Sequence, residues 1–123
     1  MTTGYLTTHV RDTARDLPAA GLKVKLFSVH PSAQGDSKTK IVAMVTNHDG
    51  RTDSPIMPAA DFKCGTYELV FHAGDYLRAQ GTDQPEPFFL DIIPIRFGMN
   101  DDTSHYHVPL LVSPYGFSTY RGS

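Results

Sequence analysis

Apolar and polar residues alternate with a period of two along most of the chain, and the 3.6-residue period of a helix is nearly absent. Such alternation predicts strands, because successive strand side chains point to opposite faces of a sheet. From Gly4 to Arg11 one face carries Leu6, Thr8 and Val10 and the other Tyr5, Thr7, His9 and Arg11, which puts His9 on the polar face. From Gly21 to Val29, Leu22, Val24 and Leu26 oppose Lys23 and Lys25, as in a half-buried strand. From Thr39 to Thr46, Ile41, Ala43 and Val45 oppose Val42 and Met44, and two apolar faces predict a strand covered on both sides. Thr66 to His72 buries Tyr67, Leu69 and Phe71, and Phe88 to Ile95 is apolar nearly throughout. Pro94, which has no backbone N–H, places the latter segment at a sheet edge or a strand end. Near the end of the chain, His105 to Val112 reads as a strand, Ser113-Pro114-Tyr115-Gly116 as a tight turn and Phe117 to Arg121 as the returning strand.

One segment breaks the pattern. Gly74 to Gly81 has good helix formers bracketed by glycines and predicts one or two turns of helix. Turn signals punctuate the rest: Asp16-Leu17-Pro18, Pro31 to Asp36, Asp49-Gly50, Ser113-Pro114 and Tyr115-Gly116. Short, regularly interrupted strands predict an all-β antiparallel sandwich. No repeat, low-complexity tract or linker divides residues 1–123, and a chain of this length supports a single core.

Charge adds exclusions. The formal net charge is −2, and the eleven Lys and Arg residues are scattered, which argues against nucleic acid as a partner. The single cysteine, Cys64, cannot form an intrachain disulfide, and no charged-then-apolar leader precedes Gly4-Tyr5-Leu6. A reducing cytoplasm is the expected compartment. No apolar run approaches the roughly 20 residues of a membrane span, so no membrane association is expected.

Six histidines are the main reservoir of chemistry, since imidazole exchanges protons near neutrality. His105 and His107, two apart, share one face of their strand. They are also spaced to chelate a metal, but no second half-motif supplies further ligands, so the expectation is no metal and no cofactor beyond adventitious zinc at this pair. His30, His48 and His72 read as structural or solvated. Arg51 follows the turn pair Asp49-Gly50, a place where an arginine is ordinarily solvated. Ser118 and Ser123 lie in no G-x-S-x-G elbow, so water is the better nucleophile, and Cys64 reads as structural.

The ending His105-Tyr106-His107-Val108-Pro109-Leu110-Leu111-Val112-Ser113-Pro114-Tyr115-Gly116-Phe117-Ser118-Thr119-Tyr120-Arg121-Gly122-Ser123 resembles the C-terminal signature of 5-hydroxyisourate hydrolases, the transthyretin-like proteins of urate degradation. Leu6 to Val10 with Asp12-Thr13-Ala14 is similar to the opening strand of that family, and Asn47 to Asp53 to its arginine-bearing turn. Gly65 to Leu69 and Phe89 to Phe97 follow in order, so the resemblance runs over about residues 4 to 123. His48 departs from it, standing where a small residue often precedes Asp49-Gly50.

The resemblance implies two four-stranded sheets with one short helix. It also implies a homotetramer built as a dimer of dimers, with sites at the dimer-dimer interface that open 5-hydroxyisourate by hydrolysis. On that basis His9 and His107 activate water and transfer protons, and Arg51 holds the polar edge of the substrate. Tyr120, Arg121 and Ser123 orient substrate and histidines. Transthyretin shares the architecture without the Tyr-Arg-Gly-Ser ending, so a carrier without catalysis is the alternative. A periplasmic or surface binding module is the generic fallback.

Overall fold

The period-two segments become strands where their apolar faces meet across a common core. A computed structural model describes residues 3–122, so the Ser123 assignment lies outside the described residues. In chain order the elements are β1 (Tyr5–Asp12), β2 (Leu17–Pro18), β3 (Lys23–His30), β4 (Ser37–Val45), a 3-10 turn (Ala59–Asp61), β5 (Gly65–His72), α1 (Ala73–Ala79), β6 (Ile92–Met99), β7 (His105–Ser113) and β8 (Gly116–Thr119). One sheet has the order β2-β1-β7-β8 and the other β4-β3-β5-β6. In β1 burial alternates without a break, with Leu6, Thr8, Val10 and Asp12 inward. Leu6, Leu22, Leu26, Leu69 and Leu110 are fully enclosed. Each contributes about 1.5–3 kcal/mol through the area it removes from water.

All the strand pairs are antiparallel except β1 with β7, which run parallel and in register from Tyr5 opposite His105 to Asp12 opposite Val112. Parallel neighbours need a long crossover, and here the whole second sheet lies between them in the chain. The helix sits where the glycine-bracketed segment predicted it. It is tied to β1 by the Tyr76 hydroxyl, which donates to Asp12 Oδ2 at 2.8 Å, while the Arg15 N–H donates to Oδ1. Burial, and then the bond to Asp12, push the Tyr76 phenol up to about 12.

Two strand expectations are corrected. β4 is not covered on both sides. It is the outer strand of its sheet, with Val42 and Met44 against the core but Ile41 43% and Val45 58% exposed. β6 starts four residues later than the apolar run that begins at Phe88, because Phe88 packs into the core from the preceding loop, under the Arg78 guanidinium. The edge position inferred from Pro94 holds, since β6 ends its sheet and Pro94 faces Val70 within it.

Candidate active site

The parallel pairing of β1 with β7 assembles the site. Residues of one parity share a face, so Tyr5, Thr7 and His9 of β1 line up beside His105, His107 and Pro109 of β7 on the outer face of their sheet. The turn at residues 47–51 closes one side. Gly50 adopts φ +76°, and a Cβ there would lie 2.3 Å from the Val10 carbonyl oxygen, so only glycine lets this turn approach β1. The Val10 N–H donates to the Gly50 carbonyl at 2.8 Å, and the Asn47 side-chain oxygen accepts from the N–H groups of Asp49 and Arg51. The effect is to set Arg51 opposite His9 in a short bridge.

The C-terminal tail closes the other side. After β8 ends at Thr119, pairing resumes where the Gly122 N–H donates to the His107 carbonyl at 2.7 Å. A Cβ at Gly122 would sit 2.6 Å from His107 Cδ2, so the missing side chain is what allows the tail to lie against the imidazole. Along the β1-β7 pair and residues 51–55 is an open cleft of about 460 Å³, lined by Tyr5, Thr7, Arg51, Asp53, His105 and His107 among others, with His9 next to Arg51 just outside this lining.

The histidines are held in defined ways. His9 Nε2 lies 3.0 Å from the Asp49 carbonyl oxygen. A carbonyl only accepts, so Nε2 carries the proton and a neutral His9 has its lone pair on Nδ1. Burial first, and then the Arg51 guanidinium, lower the pKa of His9 below the ordinary histidine value. Burial also leads the lowering at His107, followed by the charges of His105, Arg51 and His9. Both rings are thereby kept as free bases at neutral pH.

Sequence reasoning placed His9, Arg51 and His107, and the fold brings these three together. It places Tyr120 and Arg121 elsewhere within the single chain. They line a second groove with Phe97 of β6 and Tyr106 of β7, where the Arg121 guanidinium lies 4.1 Å above the Tyr106 ring. Sequence reasoning passed over Thr7 and Tyr5, although both share the polar face of β1 with His9. His30 and His48 stay apart from the cleft, as expected of structural or solvated residues. Among the described residues no group of three or more His, Cys, Asp and Glu side chains is placed to hold a metal ion, and no helix is long and apolar enough to cross a membrane.

Residues 6–122 match the HIUase/Transthyretin family. The chain belongs to that family. It is 58% identical over 120 residues to a protein named 5-hydroxyisourate hydrolase 2 from Rhizobium meliloti, covering 98% of this chain and 97% of that one. It superposes on the 5-hydroxyisourate hydrolase of Klebsiella pneumoniae with a TM-score of 0.76 at 28% identity, over 100% of this chain and 96% of that chain. It also superposes on (S)-allantoin synthase with a TM-score of 0.89 at 41% identity, where the chain spans 46% of the larger protein's chain.

Membership of this family makes the protonation of the two depressed histidines a testable matter. A histidine whose folded pKa lies below its unfolded value near 6.5 favours folding when neutral. That stability is fully present above about pH 6.5 and is lost as pH falls through the lower folded values. NMR titration is therefore expected to place His9 and His107 below 6.5. In Arg51→Gln, His9 is expected to recover only part of the difference, because burial is the larger cause. An unshifted His9 in the wild type contradicts this account.

Proposed function

We propose that this chain is a 5-hydroxyisourate hydrolase of urate degradation, acting on its substrate by hydrolytic ring opening. The observation that carries the reading is the placing of Arg51 and His107 on the walls of one polar cleft, with His9 bridged to Arg51 beside it and the pKa of both His9 and His107 lowered. Its likeness over nearly its whole length to proteins bearing that name supports it further. A neutral imidazole, from His9 or His107, takes a proton from water as the oxygen attacks a ring carbonyl carbon. The ring C–N bond then breaks, the attacked carbon stays on the opened molecule as a carboxylate, the freed nitrogen takes the proton from the imidazolium, and the second proton of the water is released to solvent, giving 2-oxo-4-hydroxy-4-carboxy-5-ureidoimidazoline. Arg51 offers a planar fork of N–H donors to the urea-like and carbonyl edge of the substrate, where negative charge develops. No cofactor takes part. A carrier of apolar ligands is disfavoured by the lining itself, since Arg51, Asp53, His105 and His107 are costly walls for an apolar ligand.

Tyr120, Arg121 and Ser123 complete the site in a homotetramer, a dimer of dimers, in which the outer faces of the β1-β7 sheets meet and tails of neighbouring copies converge on the clefts. The separate groove that holds Tyr120 and Arg121 in one chain supports this arrangement, because these two side chains do not line the cleft of their own chain and a second copy would bring its own to it. The compartment that suits a lone, exposed Cys64 is the cytoplasm.

The deciding experiment is to add the purified protein to freshly generated 5-hydroxyisourate and follow the decay of the substrate. Acceleration far beyond the spontaneous rate is expected, and decay at the spontaneous rate overturns the reading. Light scattering on the same sample is expected to give roughly four times the chain mass of 13.6 kDa. A fully active monomer rules out a site shared between copies.

A further inference from the structure

Thr7 stands opposite His107 in the β1-β7 register, with His105 on the same face two residues earlier. Its hydroxyl oxygen lies 2.7 Å from His105 Nε2 and 2.8 Å from His107 Nδ1. A hydroxyl has one proton and two acceptor lone pairs, so Thr7 donates to one of these rings at most. A ring nitrogen that receives no proton from Thr7 must bring its own. The two tautomers are therefore linked through one oxygen.

The link decides what His107 is able to do. Its Nδ1 is occupied by Thr7, which leaves Nε2 as the nitrogen free for proton transfer. If Thr7 gives its proton to His107 Nδ1, a neutral His107 carries its own proton on Nε2 and has no lone pair there. If Thr7 gives its proton to His105 Nε2, His107 donates from Nδ1 and Nε2 is an open base. The surroundings hold the three groups in place. Tyr5 stacks on the His105 ring with centroids 4.1 Å apart and planes 9° from parallel, and Gly122 backs the His107 ring.

We propose that Thr7 is a positioning residue that gives its proton to His105 and holds His107 as the Nδ1–H tautomer, leaving Nε2 free to accept a proton from water. His105 is then the acceptor that completes the chain, not a second base. The proposal rests on the hydrolase reading for its consequence in catalysis, but the tautomer itself is observable without substrate.

The test has two arms. Long-range proton-nitrogen correlation spectra of the ¹⁵N-labelled wild-type protein near neutral pH are expected to show a protonated Nδ1 and an unprotonated Nε2 at His107, with the tautomer preference lost in Thr7→Val. The opposite tautomer in the wild type overturns the proposal whatever the kinetics. In turnover, Thr7→Val is expected to lose about 10- to 100-fold in kcat, the usual cost of removing the group that orients a functional histidine, with KM changed by less than about threefold. Thr7→Ser, which keeps the hydroxyl, is expected to stay within about threefold of the wild type. An active wild type whose Thr7→Val variant keeps both full kcat and the same tautomer spectrum overturns the proposal. A wild type without hydrolase activity counts instead against the functional reading, and the spectrum alone then decides the tautomer.

Discussion

His107→Asn is expected to lower turnover by at least about 10²-fold with little change in thermal stability, the usual cost of losing a general base. Asparagine offers an amide near the Nδ1 position, so the contact with Thr7 at 2.8 Å can be kept while the proton-accepting nitrogen is lost. The ring is also only partly buried, so the exchange leaves no core cavity. His9→Asn is expected to have an effect of the same order, since its Nδ1 is the only lone pair left once Nε2 donates to the Asp49 carbonyl. The measurement is steady-state decay of 5-hydroxyisourate with melting curves as the control for folding. Near-full activity in both variants refutes the mechanism. A large loss in one alone names the base, which the geometry leaves shared between the two rings.

Ending the chain after Thr119 is expected to abolish most of the activity while costing little stability. Strand β8 ends at Thr119 and keeps its pairing with β7 from Leu110–Thr119 to Ser113–Gly116. Among the described residues, the backbone hydrogen bond lost is that from Gly122 to His107, worth about 0.5–1.5 kcal/mol. The contact of Arg121 with the Tyr106 ring is lost as well, worth about 0.5–1 kcal/mol at a partly exposed site. Activity depends on something narrower. Gly122 rests against the His107 ring, and a displacement on the order of 1 Å in a reacting group can cost about 10²-fold. Rates and melting temperatures of the truncated protein decide the matter. Wild-type turnover after truncation shows that the tail is idle and removes Tyr120, Arg121 and Ser123 from the site.

Where the candidate residues sit was legible from local settings, while their selection as a candidate site came from the family resemblance. The alternation around Leu6, Thr8 and Val10 placed His9 on the outer face without any tertiary knowledge. Asp49-Gly50 marked the turn that carries Arg51, and Gly50 does take the left-handed conformation that such a pair allows. The Thr7 contacts were not legible. They depend on which strand lies beside β1, in which direction and in which register, and a pairing across about a hundred residues leaves no local trace in composition or period. The reading of β4 failed for the opposite reason. Apolar residues on both faces usually mean two covered faces, but an outer strand can show one of them to solvent or to another copy of the chain, and periodicity within a single chain does not separate these cases. The displaced start of β6 is a boundary error, because an apolar residue such as Phe88 enters the core as readily from a loop as from a strand.

The side-by-side run of β1 and β7 has a consequence for synthesis. Tyr5 and Thr7 leave the ribosome about a hundred residues before their partners His105 and His107. Non-local pairing of this kind is slow, since the cost of closing the intervening loop precedes any reward. A nascent chain that has completed β3, β4 and β5 has one sheet under way but carries β1 with no neighbour on its β7 side. The cleft beside β1 and β7 is thus not assembled until β7 has been made, and any readout of that cleft reports on the pairing of these two distant strands more stringently than secondary structure does.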